Sequence, residues 1–198
     1  MYTLPEFDET RLDVLHALMA SHPLGTVVTH AGGLSAEHIP FEIAAPTPDA
    51  PHGLLRANGL WRRHGEDALV VFQGPSGYVS PSLYEAKATT GKVVPTWDYA
   101  VVHAHGSLRA VDDPGWMFAL LERMSAHHEA ARALPWSIHD APREFIDRIM
   151  TKLVGIEIPL ARLEGKWKMS QNRSAAERAA IAADVPALAA CMRQPTPA

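Results

Sequence analysis

The sequence predicts an α+β fold, a small antiparallel β-barrel carrying peripheral helices. Three observations predict it. Short β-branched segments recur at even spacing, segments with helical periodicity and capping residues interrupt them, and 198 residues leave room for one domain, with or without a helical extension. Hydrophobic residues at 47% and charged residues at 20% exclude a globally disordered chain.

The first element reads as a helix, with Asp8 as its cap, Leu12, Leu15, Leu18 and Met19 at helical spacing, and Pro23 as its stop. Gly25 to His30 reads as a strand, Gly32-Gly33 as a hairpin turn, and Leu34 to Ile43 as the returning strand. The proline-rich stretch 46–51 is a loop. Gly53 to Ala57, Ala68 to Gln73, Ala100 to Val111 and Leu153 to Ile158 follow as strands, with Gly165 to Met169 a further candidate. Between them, Pro75 to Pro95 reads as a long surface loop, and loops of that length in compact domains are usually functional.

Two helices interrupt the later strands. Asp113-Pro114 opens the first, which carries Trp116, Leu120, Leu121 and Met124 on one face. Asp140 opens the second, with Phe145, Ile146 and Ile149 inward. A capping box, Ser174-Ala175-Ala176-Glu177, starts an Ala-rich helix running to about Ala183. The tail from Met192 reads as disordered.

Composition narrows the function classes. No apolar run approaches the ~18 residues of a membrane span, so no membrane partner is expected. The N-terminal segment lacks a basic region followed by an apolar stretch, and no signal peptide is expected. Cys191 is the only cysteine and has no internal disulfide partner, which points to the reducing cytoplasm. The formal charge of −4 has the wrong sign for coating nucleic acid. About ten residues separate the two central helices, against the ~3–4 of a helix-turn-helix. Between Asp113 and Lys152, five basic residues face six acidic ones, which is no recognition element.

His103 and His105 lie two apart on a strand and share a face. Zinc sites need three or four ligands, and no carboxylate or cysteine stands at ligand spacing, so no metal is expected. His127-His128 at a helix end fits the helix dipole more simply.

The chemistry concentrates in polar-aromatic clusters at 37–40, 56–61, 74–84, 92–99 and 166–173. Each alone is weak, since a Trp beside an Asn is more often a packed corner than a ligand site. Together they supply what a flat, phosphorylated aromatic ligand requires. Arg and Lys pair with phosphate, Ser and Thr add donors, and Trp and Tyr offer stacking faces.

Three runs carry a resemblance: Val70-Val71-Phe72-Gln73-Gly74-Pro75 into Tyr78-Val79-Ser80-Pro81, then Lys92 through Gly106, then Leu163 through Arg173. In order and spacing the chain to about Val185 resembles the PaiB family of FMN-binding negative transcriptional regulators. The resemblance implies an α+β antiparallel split β-barrel of the FMN-binding type with peripheral helices, similar to pyridoxamine 5′-phosphate oxidases. It implies one domain over 1–185 with inserted helices near 113–152, followed by a flexible tail over 186–198. It also implies a homodimer with two FMN sites at the subunit interface.

The cofactor-binding residues the resemblance carries over are His38, Arg56, Asn58, Tyr78, Ser80, Lys92, Thr96, Trp97, Ser170, Gln171 and Asn172. The usual Asn of the Pro-Thr-Trp-Asn-Tyr segment is here Asp98, which removes an amide donor and adds a negative charge. Near a flavin phosphate that change would weaken binding. The basic residues Arg162, Lys166, Lys168 and Arg173 read either as a solvated face or as phosphate capture by flavin.

The expected function is FMN-dependent negative regulation of transcription, with DNA the less supported partner. The alternative is a flavin-dependent oxidoreductase similar to pyridoxamine 5′-phosphate oxidase, and a third reading is a dimeric barrel that has lost its cofactor. No catalytic side chains are assigned, because in flavin chemistry the protein supplies orientation and electrostatics.

Overall fold

Side chains alternating in and out with period two organise most of the chain into strands. The computed structural model describes residues 1–30, 32–59 and 64–193. Leu60 and Trp61, part of one polar-aromatic cluster, and the tail from Gln194 lie outside the described residues. The strands are β1 (Asp8–Glu9), β2 (Leu24–Thr29), β3 (Ser35–Pro40), β4 (Glu42–Ala44), β5 (Leu54–Gly59), β6 (Asp67–Val79), β7 (Thr96–Ser107), β8 (Arg109–Val111) and β9 (Val154–Lys168). The helices are α1 (Leu12–Ser21), α2 (Ala86–Thr89), α3 (Pro114–Glu129), α4 (Arg143–Met150), α5 (Ala175–Asp184) and α6 (Ala189–Met192). Hydrogen-bonded neighbours run β3-β2-β6-β7-β9-β5-β4, with β1 and β8 also pairing on β9. Pairings of β2 with β3, β4 with β5, and β9 with β1, β5 and β8 are antiparallel, the class predicted.

The chain forms two compact units. The first holds Met1–His22, Val71–His103 and the chain from Leu163 onward. In it α1 buries Leu15, Leu18 and Met19, the spacing the sequence predicts. Asp8 is not its cap. It lies in β1 opposite Lys166, and Arg11 stands at the N-cap position without a side-chain cap. The neighbouring carboxylate, buried Glu9, is satisfied by Arg11 instead, through Nε at 2.9 Å, Nη2 at 2.6 Å and the backbone N–H at 2.9 Å.

The expected loop from Pro75 begins later, because β6 continues to Val79. A 3-10 turn at Pro81–Leu83 and the short α2 occupy its middle. Strand β9 likewise joins two expected strands, 153–158 and 165–169, without a break. The capping box at Ser174 forms in both directions, and Glu177 also accepts from the Glu85 backbone N–H at 3.1 Å. Helical turns at Pro186–Leu188 and α6 extend past the expected start of the tail at 186, because Leu188 and Met192 find buried positions.

The second unit holds Pro23–Val70 and Ala104–Arg162. Strands β2 and β3 pair from Leu24↔Pro40 to Thr29↔Ser35, and the connecting Gly32 and Gly33 adopt φ of 78° and 117°, open to glycine at little cost. Asp113 caps α3 as predicted, accepting from the Trp116 N–H at 3.0 Å. Asp140 does not cap α4. It closes a capping box with Ser137 around the 3-10 turn Ile138–Asp140, and Pro142 precedes α4. The inward face of α4 is accordingly Ile146 and Met150, while Phe145 and Ile149 are exposed.

Met117, Ile138, Ile146 and Met150 form a buried cluster backed by Trp116, Phe118, Leu121 and Leu153. Met117→Ala should therefore cost about 2–5 kcal/mol. Urea denaturation of the two proteins measures the difference, and a change near zero would remove this cluster from the core.

Candidate functional site

Strand parity decides which side chains of β7 turn inward. Asp98, Ala100, Val102 and Ala104 are buried, and the intervening Tyr99, Val101, His103 and His105 are half-buried on the other face. Asp98 thus shares a buried row with three small apolar residues. On β9, Trp167 is buried and its neighbour Lys168 is half-buried. Ser170, just beyond β9, adopts φ of 53°, a left-handed conformation rare for a residue with a Cβ.

These residues meet in the first unit. The Lys168 ammonium donates to Thr96 Oγ1 at 2.6 Å and to the Trp97 carbonyl at 2.5 Å, and it stands 3.4 Å from Asp98 Oδ1. Ser170 Oγ donates to Asp98 Oδ2 at 2.6 Å. Gln171 staples the turn, accepting from the Met169 N–H at 2.8 Å and donating to the Trp167 carbonyl. The Arg173 N–H closes it on the Ser170 carbonyl at 3.0 Å. An ion pair this enclosed gains most from the hydrogen bonds that complete it.

Burial pushes the Asp98 carboxyl above the usual carboxylate range, against the opposing pull of Ser170, Lys168 and Arg173. Burial also raises Tyr84, whose ring lies 4.1 Å from the Arg173 guanidinium. Tyr84 is 3% exposed, and its hydroxyl has no hydrogen-bond partner of good geometry, although Ser170 lies near enough to lower its pKa somewhat.

Tyr84, Thr96, Asp98, Lys168, Ser170 and Arg173 line one cleft of about 260 Å³. Leu4, Phe7, Val94 and Pro95 supply its apolar wall, and Glu6 and Asn172 complete its polar lining. On the outward face of β7, the exposed rings of Tyr78 and Trp97 meet edge to face at 6.3 Å. The cleft offers an anion two cations and several hydroxyls, and the exposed Tyr78 and Trp97 rings are aromatic surfaces open to a flat ligand.

Of the expected binding residues, Thr96, Ser170 and Asn172 line this cleft, Gln171 shapes the turn after β9, and Trp97 and Tyr78 are exposed and pair with each other outside the lining. Ser80 accepts from the Ser82 N–H and caps the turn leading to Tyr84. Lys92 is exposed, with its backbone N–H on Thr90 Oγ1. His38, Arg56 and Asn58 belong to the second unit. His38 is exposed on β3, while Arg56 is held by Glu157 at 3.2 Å and Glu42 at 4.0 Å.

The four basic residues near the end of β9 have separate partners. Arg162 donates to His105, Lys166 lies near the Tyr2 and Tyr99 rings, and only Lys168 and Arg173 line the cleft. Sequence reasoning placed Tyr84 in the 74–84 cluster without singling it out as a binding residue, and it missed the N-terminal wall. A tyrosine three residues after Pro81 carried no signal of its own, and the wall is made by a distant segment.

Comparison with known proteins decides the family. Residues 1–162 match the family described as "Putative FMN-binding domain". The chain belongs to this family. FMN is accordingly its cofactor, and its fold is the antiparallel split β-barrel with peripheral helices. A protein of Emericella nidulans is 30% identical over 222 residues, covering 90% of this chain and 87% of its own. Protease synthase and sporulation protein PAI 2 of Bacillus subtilis is 27% identical over 179 residues, covering 88% and 84%. Among solved structures, the flavocytochrome Anf3 of Azotobacter vinelandii superposes with a TM-score of 0.57 at 11% identity, covering 87% of this chain and 75% of that one.

The raised Asp98 carboxyl makes stability depend on pH with a defined sign. A group whose pKa rises on folding adds stability that is full below its unfolded pKa and is lost as pH climbs through the folded one. Asp98→Asn cannot ionise, so its Tm should fall less than that of the wild type as pH rises from the usual carboxylate range toward neutrality. Parallel Tm–pH curves for the two proteins would show that Asp98 does not titrate in this window.

Proposed function

We propose that the protein is a flavin-dependent oxidoreductase whose FMN lies against the first-unit cleft. The observation that carries this reading is the convergence of Lys168, Arg173 and the unpartnered Tyr84 hydroxyl in one cleft, whose lining includes Thr96 and Asp98 of β7, the strand that exposes the Trp97 ring. The residues fit the cofactor. Lys168 and Arg173 would face its phosphate, Thr96 and Ser170 would offer hydroxyls, and Trp97 and Tyr78 would flank its ring system. Bound FMN supplies a ring that exchanges hydride or single electrons with a substrate. The chain's part is to bind and orient that ring and to shield it from water.

Kinship of fold with a flavocytochrome supports redox chemistry. The regulator reading draws its support from the likeness to protein PAI 2. Its direct form, operator binding, has no basic recognition element to carry it, since acidic residues outnumber basic ones between Asp113 and Lys152. The reading includes a single flavin-binding domain over 1–185 and a homodimer in which a second copy covers the exposed Tyr78 and Trp97 rings and brings His38, Arg56 and Asn58 to the flavin. No helix among the described residues is long and apolar enough to cross a membrane. A cytoplasmic location rests on Cys191, half-buried, with its thiol pushed up by burial toward an inert form.

Titration of FMN followed by flavin fluorescence tests the site. Trp97→Ala should weaken binding about 2–10-fold, the range of one aromatic contact. Bound FMN should bleach on anaerobic addition of a reduced nicotinamide and recolour on adding an electron acceptor. Full retention of affinity in Trp97→Ala would move the flavin elsewhere, and a bound flavin inert to every donor would favour regulation.

A further inference from the structure

Four charged groups line the first-unit cleft: Lys168 and Arg173 against Asp98 and Glu6. With both carboxylates ionised these charges cancel. Glu6 is exposed and screened by water, whereas Asp98 is fully buried and holds Lys168 directly. Lys168 has three N–H donors, and Thr96, the Trp97 carbonyl and Asp98 take all three. Beyond these groups, Glu177 acts on Tyr84 as a further negative charge. The cleft nevertheless keeps one unsatisfied buried donor, the Tyr84 hydroxyl. It is a pocket with the donors of an anion site and the net charge of a neutral one.

We propose that Asp98 is a specificity-determining residue that sets the charge selectivity of this cleft, keeping it near neutrality so that it takes a phosphate monoester weakly. The proposal rests on the flavin reading above and names the part of the ligand that the cleft receives. Removing the one buried negative charge of the cleft leaves the Lys168 charge uncompensated with the ammonium still held in place, and so turns the cleft into a stronger phosphate site. Asparagine fits the same space. Its carbonyl can accept from Lys168, and the Ser170 hydroxyl can turn to accept from its amide. Glu6 remains in both forms, so the change isolates Asp98.

The test compares FMN with riboflavin, which has the same ring and no phosphate, on the full-length wild type and variants. Asp98→Asn should bind FMN about tenfold more tightly with riboflavin affinity unchanged, the size expected when an opposing charge next to a phosphate-facing cation is lost. Inorganic phosphate should compete better against FMN in this variant than in the wild type. Lys168→Met alone would strand a buried carboxylate and risk misfolding, so it is made in the Asp98→Asn background, where it should abolish the gain.

An equal gain for FMN and riboflavin, or no gain for either while flavin still binds, would overturn the proposal and leave flavin binding standing. If neither flavin binds, calorimetry with inorganic phosphate decides. Tighter phosphate binding in Asp98→Asn would uphold the charge role of Asp98 while the flavin reading fails, and unchanged phosphate binding would overturn both.

Discussion

A buried carboxylate that cannot leave its strand face is the constraint around which the first unit is arranged. Period two on β7 commits position 98 to the row of Ala100, Val102 and Ala104, and a charged group there must be met by partners or be neutralised. The chain meets it from the end of β9, with the Lys168 ammonium and the Ser170 hydroxyl. Those two contacts tie the end of β9 and the residue after it to β7, while Gln171 and the Arg173 N–H close the turn that follows. The cleft is what remains between these partners and the N-terminal segment.

The second unit handles its charges differently. Arg56 and Arg123 both reach Glu42, Arg123 in bidentate geometry at 2.7 and 2.8 Å, and Arg56 also reaches Glu157 across the β5–β9 pair. The Arg123 hydrogen bond holds the Glu42 carboxyl below the usual range. There these charged residues pair with one another. Arg56 is therefore engaged in linking Glu42 of β4 and Glu157 of β9 to its own strand.

Local pattern made much of the fold legible. The α1 spacing, the Asp113 cap, the Ser174 capping box and the Gly32-Gly33 turn each depend on residues close in sequence, and each formed as read. Errors arose where a strand pairing or a competing local turn overrides the signal read. Pro75 suggests a loop, yet β6 runs through it, and Asp8 and Asp140 look like caps but serve a strand register and a 3-10 turn. In the cleft, Thr96, Ser170 and Asn172 were accessible through their motifs. Tyr84 was legible only as a member of the 74–84 cluster, because its significance is burial without a hydrogen-bond partner of good geometry, and no single-sequence pattern encodes that.

The left-handed backbone at Ser170 has a consequence for how this chain can change. A glycine would relax that conformation, which costs a residue with a side chain roughly 1–2 kcal/mol, but it would delete the hydroxyl on Asp98. An alanine would keep the conformational cost and lose the hydroxyl as well. Backbone ease and carboxylate solvation therefore pull in opposite directions at one residue. A stability screen of this protein would be drawn to glycine at Ser170 and would, in accepting it, loosen the Asp98 carboxylate from its place.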